Sequence, residues 1–217
     1  MKYYDYIITG AGAAGLMLAY RLANDSFFDQ KSILILDPIE RIADDKTWSF
    51  WEDGKGEWDN LVSKSWNSVI FANSISKLKI PLDSYRYKMI HSKDFYHEVW
   101  SVIRSKSNIK FLKQEIVKLV SNNKYVEVHT HRSKFKASKV FNSIPNSENY
   151  TKQNKYPVLK QHFVGWFIKS DSCSFDSSAA TFMDFDIPQE GNTRFMYILP
   201  FNNNEALVEY TLFSKNY

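Results

Sequence analysis

The stretch that decides the fold is a glycine turn near the start of the chain, Gly10-Ala11-Gly12-Ala13-Ala14-Gly15. It matches the pattern G-x-G-x-x-G. In this pattern the first glycine permits a tight turn, the second lets the backbone approach a pyrophosphate, and the third allows the helix to pack closely. An apolar strand precedes the turn over residues 4–9, and an apolar helical pattern follows it over residues 13–23. The turn therefore predicts a strand–turn–helix unit that binds a dinucleotide at the helix N-terminus.

The next strand completes this unit. Residues 32–36 include a continuous apolar run, which is typical of a parallel sheet covered on both faces. Asp37 closes the strand, and its carboxylate can accept hydrogen bonds from the ribose hydroxyls of an adenosine. NAD and FAD share this pattern, so the residues leave the choice open. The position at the N-terminus favours FAD by analogy with other flavoproteins.

The rest of the chain divides into two regions. Residues 45–150 mix short strands with a helix over 93–104, for which Ser92 is the expected N-cap. Residues 157–217 alternate between strands and turns, which predicts an antiparallel sheet. The expected class is α/β, with a Rossmann-like domain over 1–150 and an antiparallel substrate-binding sheet over 151–217. The polar stretch 145–155 is expected to connect them.

Composition excludes some functions and leaves others open. The net charge of +4 is mild and the lysines are scattered, so we expect no nucleic-acid partner. A single cysteine, Cys173, is typical of a reducing compartment, and neither a signal peptide nor a membrane-spanning run is expected. We therefore expect a cytoplasmic protein and leave open peripheral contact with a membrane. The aromatic share of 16% indicates either an aromatic core or a pocket for a large apolar ligand.

Several segments beyond Asp37 resemble the lycopene β-cyclase family. They are 37–41, 45–52, 161–166, 181–185, 195–201 and 206–213. They occur in the family's order and cover nearly the whole chain, with Lys46 standing where many members carry arginine. Family members continue further, with a second glycine segment and C-terminal helices. The resemblance therefore implies that the C-terminal part of the family fold is missing.

The resemblance also implies a chemistry. Members of the family bind FAD in its reduced form, with electrons from NADPH, yet achieve no net oxidation. An acid protonates the terminal double bond of lycopene, the carbocation closes a six-membered ring, and proton loss yields a β-ionone ring. The resemblance implies that the negative charge of the reduced flavin stabilises the cation. Two alternatives stay open: an FAD-dependent oxidoreductase or hydroxylase on the same scaffold, and a truncated chain without catalysis.

Glu209 is the candidate acid. In the strand 206–213 it alternates onto one face with Leu207, Thr211 and Phe213, where apolar neighbours would raise its pKa and keep it protonated. The resemblance places it at the family's essential glutamate. From the residues alone, an edge-strand glutamate that faces water is an equal alternative. Asp184, on another apolar strand, could stabilise the cation, position Glu209, or serve only as a structural residue.

The histidines and tryptophans were also considered as candidate site residues. The histidines show no metal-ligand spacing, so we expect no metal site. Trp48, Trp51 and Trp166 could line a channel for a polyene, although core packing explains them equally well.

Overall fold

The computed structural model describes residues 1–145 and 155–215. The described residues form two compact units, one from 1–46 and 92–145 and the other from 47–91 and 155–215. The division predicted at residue 150 assigned 47–91 to the first domain, whereas these residues cluster with the second unit. The reason is that Ser68–Ala72 pairs with Ala180–Asp184, and that Trp66 and Met89 pack in one buried cluster with Leu199 and Leu207. Most of the connector expected at 145–155 lies outside the described residues.

The secondary structure consists of strands β1–β15 and helices α1 and α2. In chain order they are β1 (Lys2–Thr9), α1 (Ala13–Ala23), β2 (Ile33–Asp37), β3 (Thr47–Asp53), β4 (Val62–Trp66), β5 (Ser68–Ala72), β6 (Lys77–Pro81), β7 (Tyr85–His91), α2 (Ser92–Ser105), β8 (Ile109–Lys113), β9 (Ile116–Ser121), β10 (Val126–Thr130), β11 (Lys134–Asn142), β12 (Lys160–Lys169), β13 (Ala180–Asp184), β14 (Thr193–Pro200) and β15 (Glu205–Ser214).

The first unit is a six-stranded sheet with two helices. The strand order is β8-β2-β1-β11-β10-β9, and the first four strands run parallel. Every residue of β2 is buried, as its continuous apolar run predicts. Trp100 of α2 packs edge-on against Phe111 of β8, with 5.2 Å between the ring centroids. The Rossmann-like α/β class predicted from the glycine turn is confirmed.

The start of α2 differs in one detail from the expectation. Ser92 is the first residue of the helix and is fully buried. Its hydroxyl accepts a hydrogen bond from the amide of Lys46 at 3.0 Å and donates to the carbonyl of Ala43 at 3.1 Å. The side chain thus ties the preceding loop to the helix.

The second unit consists of two packed sheets. A three-stranded antiparallel sheet, β3-β7-β4, lies against a six-stranded sheet of order β12-β15-β14-β13-β5-β6. Trp66 and Met89 from the smaller sheet share a buried cluster with Leu199 and Leu207 from the larger one. Facing sheets of this kind bury their inner side chains between them.

The larger sheet is mixed, where the sequence predicted an antiparallel one. The pairs β12–β15, β15–β14 and β14–β13 are antiparallel, whereas β13 pairs in parallel with β5, with Ala180 opposite Val69. This pairing joins strands more than one hundred residues apart, and alternation within a strand carries no information about its partner.

Strand β12 forms one edge of this sheet and exposes much of its apolar surface. More than half of the surface of Phe163, Trp166 and Phe167 is accessible. No helix among the described residues is long and apolar enough to span a membrane.

Candidate functional site

The glycine turn has the geometry that its sequence predicts. Gly10 adopts a φ of +98°, and a Cβ there would lie 2.3 Å from the hydroxyl of Ser143. A Cβ on Gly15 would lie 1.9 Å from the carbonyl oxygen of Gly10, so the helix packs against the turn as closely as glycine allows. Gly12 is different, since a Cβ there would meet nothing within 4 Å. Gly10 and Gly15 are therefore required by the turn itself, whereas Gly12 faces open space.

The N-terminus of α1 faces this open space. Ala13 and Ala14 form its first turn, Gly12 is its N-cap, no side chain caps the helix, and the first turn contains no acidic residue. The first amides of a helix have no intrahelical acceptors, and with the helix dipole they favour an anion. This end of α1 is therefore suited to a phosphate group.

Asp37 ties the end of β2 to the glycine turn. Its carboxylate oxygens accept hydrogen bonds from the amide of Ala11 at 2.7 Å and from the amide of Ile39 at 2.8 Å. The side chain is buried. Asp37 thus holds the turn in place, a role that the sequence pattern alone did not assign to it.

Glu209 lies on the inner face of the larger sheet in the second unit. Its cross-strand partners are Gly165 on β12 and Tyr197 on β14. Leu207 and Thr211, which share its face, are buried, while Glu209 itself is partly buried. Burial raises the pKa of its carboxyl above the usual value for glutamate, and within the described part of the chain no hydrogen bond or ion pair offsets this effect.

Two tyrosines beside Glu209 were missed by the sequence analysis. The hydroxyls of Tyr87 and Tyr197 lie 2.6 Å apart, and the side chain of Ser49 hydrogen-bonds to both. Burial raises the pKa of both tyrosines, and the charge of a Glu209 carboxylate acts in the same direction. Both hydroxyls are therefore neutral, and one of them donates its hydrogen bond to the other. The alternation of β14 and β15 around the turn at 202–204 could have placed Tyr197 beside Glu209, but no local signal points to Tyr87.

Asp184 does not meet Glu209. Its partner on β14 is Met196, which in turn pairs with Tyr210. Met196 and Tyr210 are the sequence neighbours of Tyr197 and Glu209. The side chain of Asp184 therefore projects, with theirs, from the face of the sheet opposite to Glu209. The carboxylate accepts a hydrogen bond from the amide of Asp186 at 2.9 Å. This geometry favours the structural alternative for Asp184.

The three candidate tryptophans occupy different positions. The Trp51 ring lies 4.5 Å from the Tyr87 ring and 5.3 Å from the Phe182 ring, between centroids. Trp166 is exposed and pairs with Val208, so it projects away from the Glu209 face. Trp48 is partly buried on β3. Trp51 therefore lies in the aromatic group that contains Tyr87.

The described residues contain no group of three or more His, Cys, Asp or Glu side chains that could hold a metal ion.

The fold defines a class of protein. PqsL of Pseudomonas aeruginosa in complex with 2-aminobenzoylacetate superposes with a TM-score of 0.67 at 12% identity, over 97% of this chain and 61% of that one. The halogenase PltM in complex with phloroglucinol and FAD gives 0.63 at 14% identity, over 96% of this chain and 51% of that one. A geranylgeranyl bacteriochlorophyll reductase-like protein of Thermoplasma acidophilum gives 0.62 at 11% identity, over 99% and 57%. This chain therefore shares the Rossmann-like fold of these solved structures.

Within this class the chain belongs to the lycopene cyclase family. The family model described as lycopene cyclase protein matches residues 5–217. A lycopene beta-cyclase of Pantoea ananas is 24% identical over 228 residues, which cover 99% of this chain and 53% of that protein. The chain therefore spans about half the length of this curated relative, and the resemblance expected from the sequence segments is confirmed.

Proposed function

We propose that this chain carries the FAD-binding turn and the acid of a lycopene β-cyclase, an enzyme that closes β-ionone rings at the ends of lycopene without net oxidation. The observation that carries the proposal is Glu209, a carboxyl with a burial-raised pKa on the inner face of an apolar sheet. An acid that protonates an alkene must hold its proton near neutral pH, and burial without a compensating charge shifts the pKa in that direction.

FAD, in its reduced form and with electrons from NADPH, is the proposed cofactor. The open space before Gly12 and the uncapped end of α1 fit a pyrophosphate. The Asp37 carboxylate retains lone pairs for ribose hydroxyls after accepting its two amide hydrogen bonds. When bound and reduced, the flavin would supply negative charge to stabilise a cation.

The proposed chemistry conserves atoms and electrons. Glu209 donates its proton to the terminal double bond of lycopene, and the internal double bond attacks the resulting cation to form the ring. Loss of a ring proton to a base restores an alkene, so the product is an isomer of the substrate. The aromatic faces of Trp51, Tyr87 and Phe182 present negative quadrupoles that can stabilise a cation nearby.

A large apolar substrate fits the surroundings of Glu209. Phe163 and Phe167 flank Gly165 on β12 and project from the same face as Glu209, since their partners are Thr211 and Leu207. Both phenylalanines are largely exposed. We infer that the polyene approaches Glu209 across this strand. We further propose a cytoplasmic protein that contacts a membrane peripherally to collect the substrate.

A flavin-dependent oxidoreductase is the second candidate. It is favoured by the likeness of the fold to PqsL, which is described as a probable FAD-dependent monooxygenase. Such an enzyme would consume reducing equivalents in proportion to its product, whereas a cyclase would not.

The test of the proposal is Glu209→Gln in the full-length protein. Glutamine keeps the shape and hydrogen-bonding ability but has no acidic proton, so the fold and FAD binding should survive. Cyclisation should fall by at least about 10²–10⁴-fold, the usual contribution of a general acid. The measurement is the ratio of cyclic carotenes to lycopene in lycopene-accumulating cells that express each variant.

Asp184→Asn is the matched control, because it removes a carboxyl from the other face of the same sheet. It should leave the pigment ratio near that of wild type. If Glu209→Gln still produced cyclic carotene at nearly the wild-type rate while Asp184→Asn abolished it, Asp184 would be the acid and the proposal would be wrong.

A further inference from the structure

The Glu209 side chain lies directly over Gly165. The two residues face each other across β15 and β12. A Cβ on Gly165 would lie 2.9 Å from the Cγ of Glu209 and 3.4 Å from its Oε1. Such a separation is shorter than van der Waals contact, so a side chain at position 165 would displace the glutamate.

The backbone itself does not require glycine at this position. Gly165 lacks the positive φ of Gly10, Gly54 and Gly191. The pairing of β12 with β15 runs without a register shift through ten consecutive pairs, so there is no bulge. Glycine inside a strand weakens it and usually marks a bulge or a close approach. At Gly165 the close approach is to the Glu209 side chain.

The opposite side of Glu209 is closed. Tyr197 pairs with it on β14, and the Tyr197 hydroxyl is held by Tyr87 at 2.6 Å. Leu207 borders the same space, with its Cδ1 3.4 Å from a Cβ on Gly165. The glutamate therefore lies in a slot bounded by a fixed tyrosine, a leucine and a bare stretch of backbone.

We propose that Gly165 is a positioning residue for Glu209: the absent side chain forms the slot that holds the carboxyl in place. The inference rests on the proposed role of Glu209 as the acid. A methyl group at 165 pushes the carboxyl out of the slot towards solvent, because Tyr197 blocks the other direction. The displaced carboxyl is better hydrated and its pKa falls towards the ordinary value.

The experiment compares Gly165→Ala with Val164→Ala in the full-length protein. Val164 is on the same strand but projects from the other face, opposite Tyr210. Gly165→Ala should keep the wild-type FAD content and reduce kcat by about 10²-fold with little change in KM, as expected for a misplaced catalytic group. Val164→Ala should retain wild-type kcat.

The pH profile adds a readout that a purely structural role would not move. In wild type, kcat should fall as the pH rises through the raised pKa of Glu209, because the acid must be protonated. In Gly165→Ala this fall should occur at lower pH. Infrared difference titration of the Glu209 carboxyl, with Glu209→Gln as the blank, should show the same shift without any substrate.

Two outcomes would overturn the inference: an unshifted Glu209 titration in Gly165→Ala, or an equal loss of kcat in Val164→Ala. If Gly165→Ala folds poorly, its melting temperature is compared in the Glu209→Ala background, where the clashing Cγ is gone. In that background Gly165→Ala should no longer lower the melting temperature. If it still did, the proposed contact between position 165 and Glu209 would be wrong. If Glu209→Gln retains activity, the proposed function fails, while the titration still tests the slot.

Discussion

At the scale of single residues, the glycines of the turn fall into two groups, those that the fold requires and one that is available for binding. Gly10 and Gly15 have no room for a side chain, and Asp37 fixes the turn through the amide of Ala11. Gly12 alone opens onto free space. The same pattern G-x-G-x-x-G therefore contains positions where substitution should damage the fold and one position where it should damage only binding.

Gly12→Val should abolish FAD binding and leave the protein folded. A Cβ at position 12 meets no protein atom within 4 Å, so the fold should accept the valine, whose side chain fills the space proposed for the pyrophosphate. The measurements are the flavin absorbance of the purified full-length variant and the melting temperature of its flavin-free form, compared with flavin-free wild type. A variant that retained flavin bands at wild-type stoichiometry would show that the pyrophosphate lies elsewhere.

At the scale of elements, local patterns predicted both helices and several of the strands, but not which strands pair. The bounds of α1 and the buried run of β2 follow from apolar periodicity and from the glycine turn. The parallel pairing of β13 with β5 and the contact of Tyr87 with Tyr197 join distant segments. Such contacts depend on strand order, which periodicity within a segment does not encode. The face of β15 on which Glu209 lies was predictable because alternation along a strand is local, and its role as the acid stays a proposal.

The packing of the two sheets in the second unit gives a prediction about stability. Trp66 of β4 is almost fully buried, and its indole Nε1 donates to the carbonyl of Pro200 on β14 at 3.2 Å. Trp66→Phe removes this donor and leaves a small void, so it should lower the free energy of unfolding by about 1–3 kcal/mol. Trp166→Phe, at an exposed site, should change it by less than about 0.5 kcal/mol. Urea denaturation of the full-length protein measures both, and equal effects would contradict the packing described.

At the scale of the whole molecule, each unit contributes one part of the proposed function. The first holds the glycine turn and the second holds Glu209. The predicted boundary at 150 followed chain order, but segment 47–91 belongs with the C-terminal strands because its apolar side chains pack against theirs. A unit built from two separate segments of the chain cannot be predicted from composition along the sequence. The exposed apolar side chains of β12 agree with a substrate that is itself apolar.

The central claim, cyclisation without net oxidation, is tested most directly by a mass and electron balance. The full-length protein is incubated with FAD, lycopene and NADPH, and the mass of the product and the NADPH consumed are measured together. We predict a cyclic product with the mass of lycopene, and NADPH use limited to the initial reduction of FAD. A product of different mass, or one NADPH consumed for each product formed, would contradict the account and identify a redox enzyme on this fold.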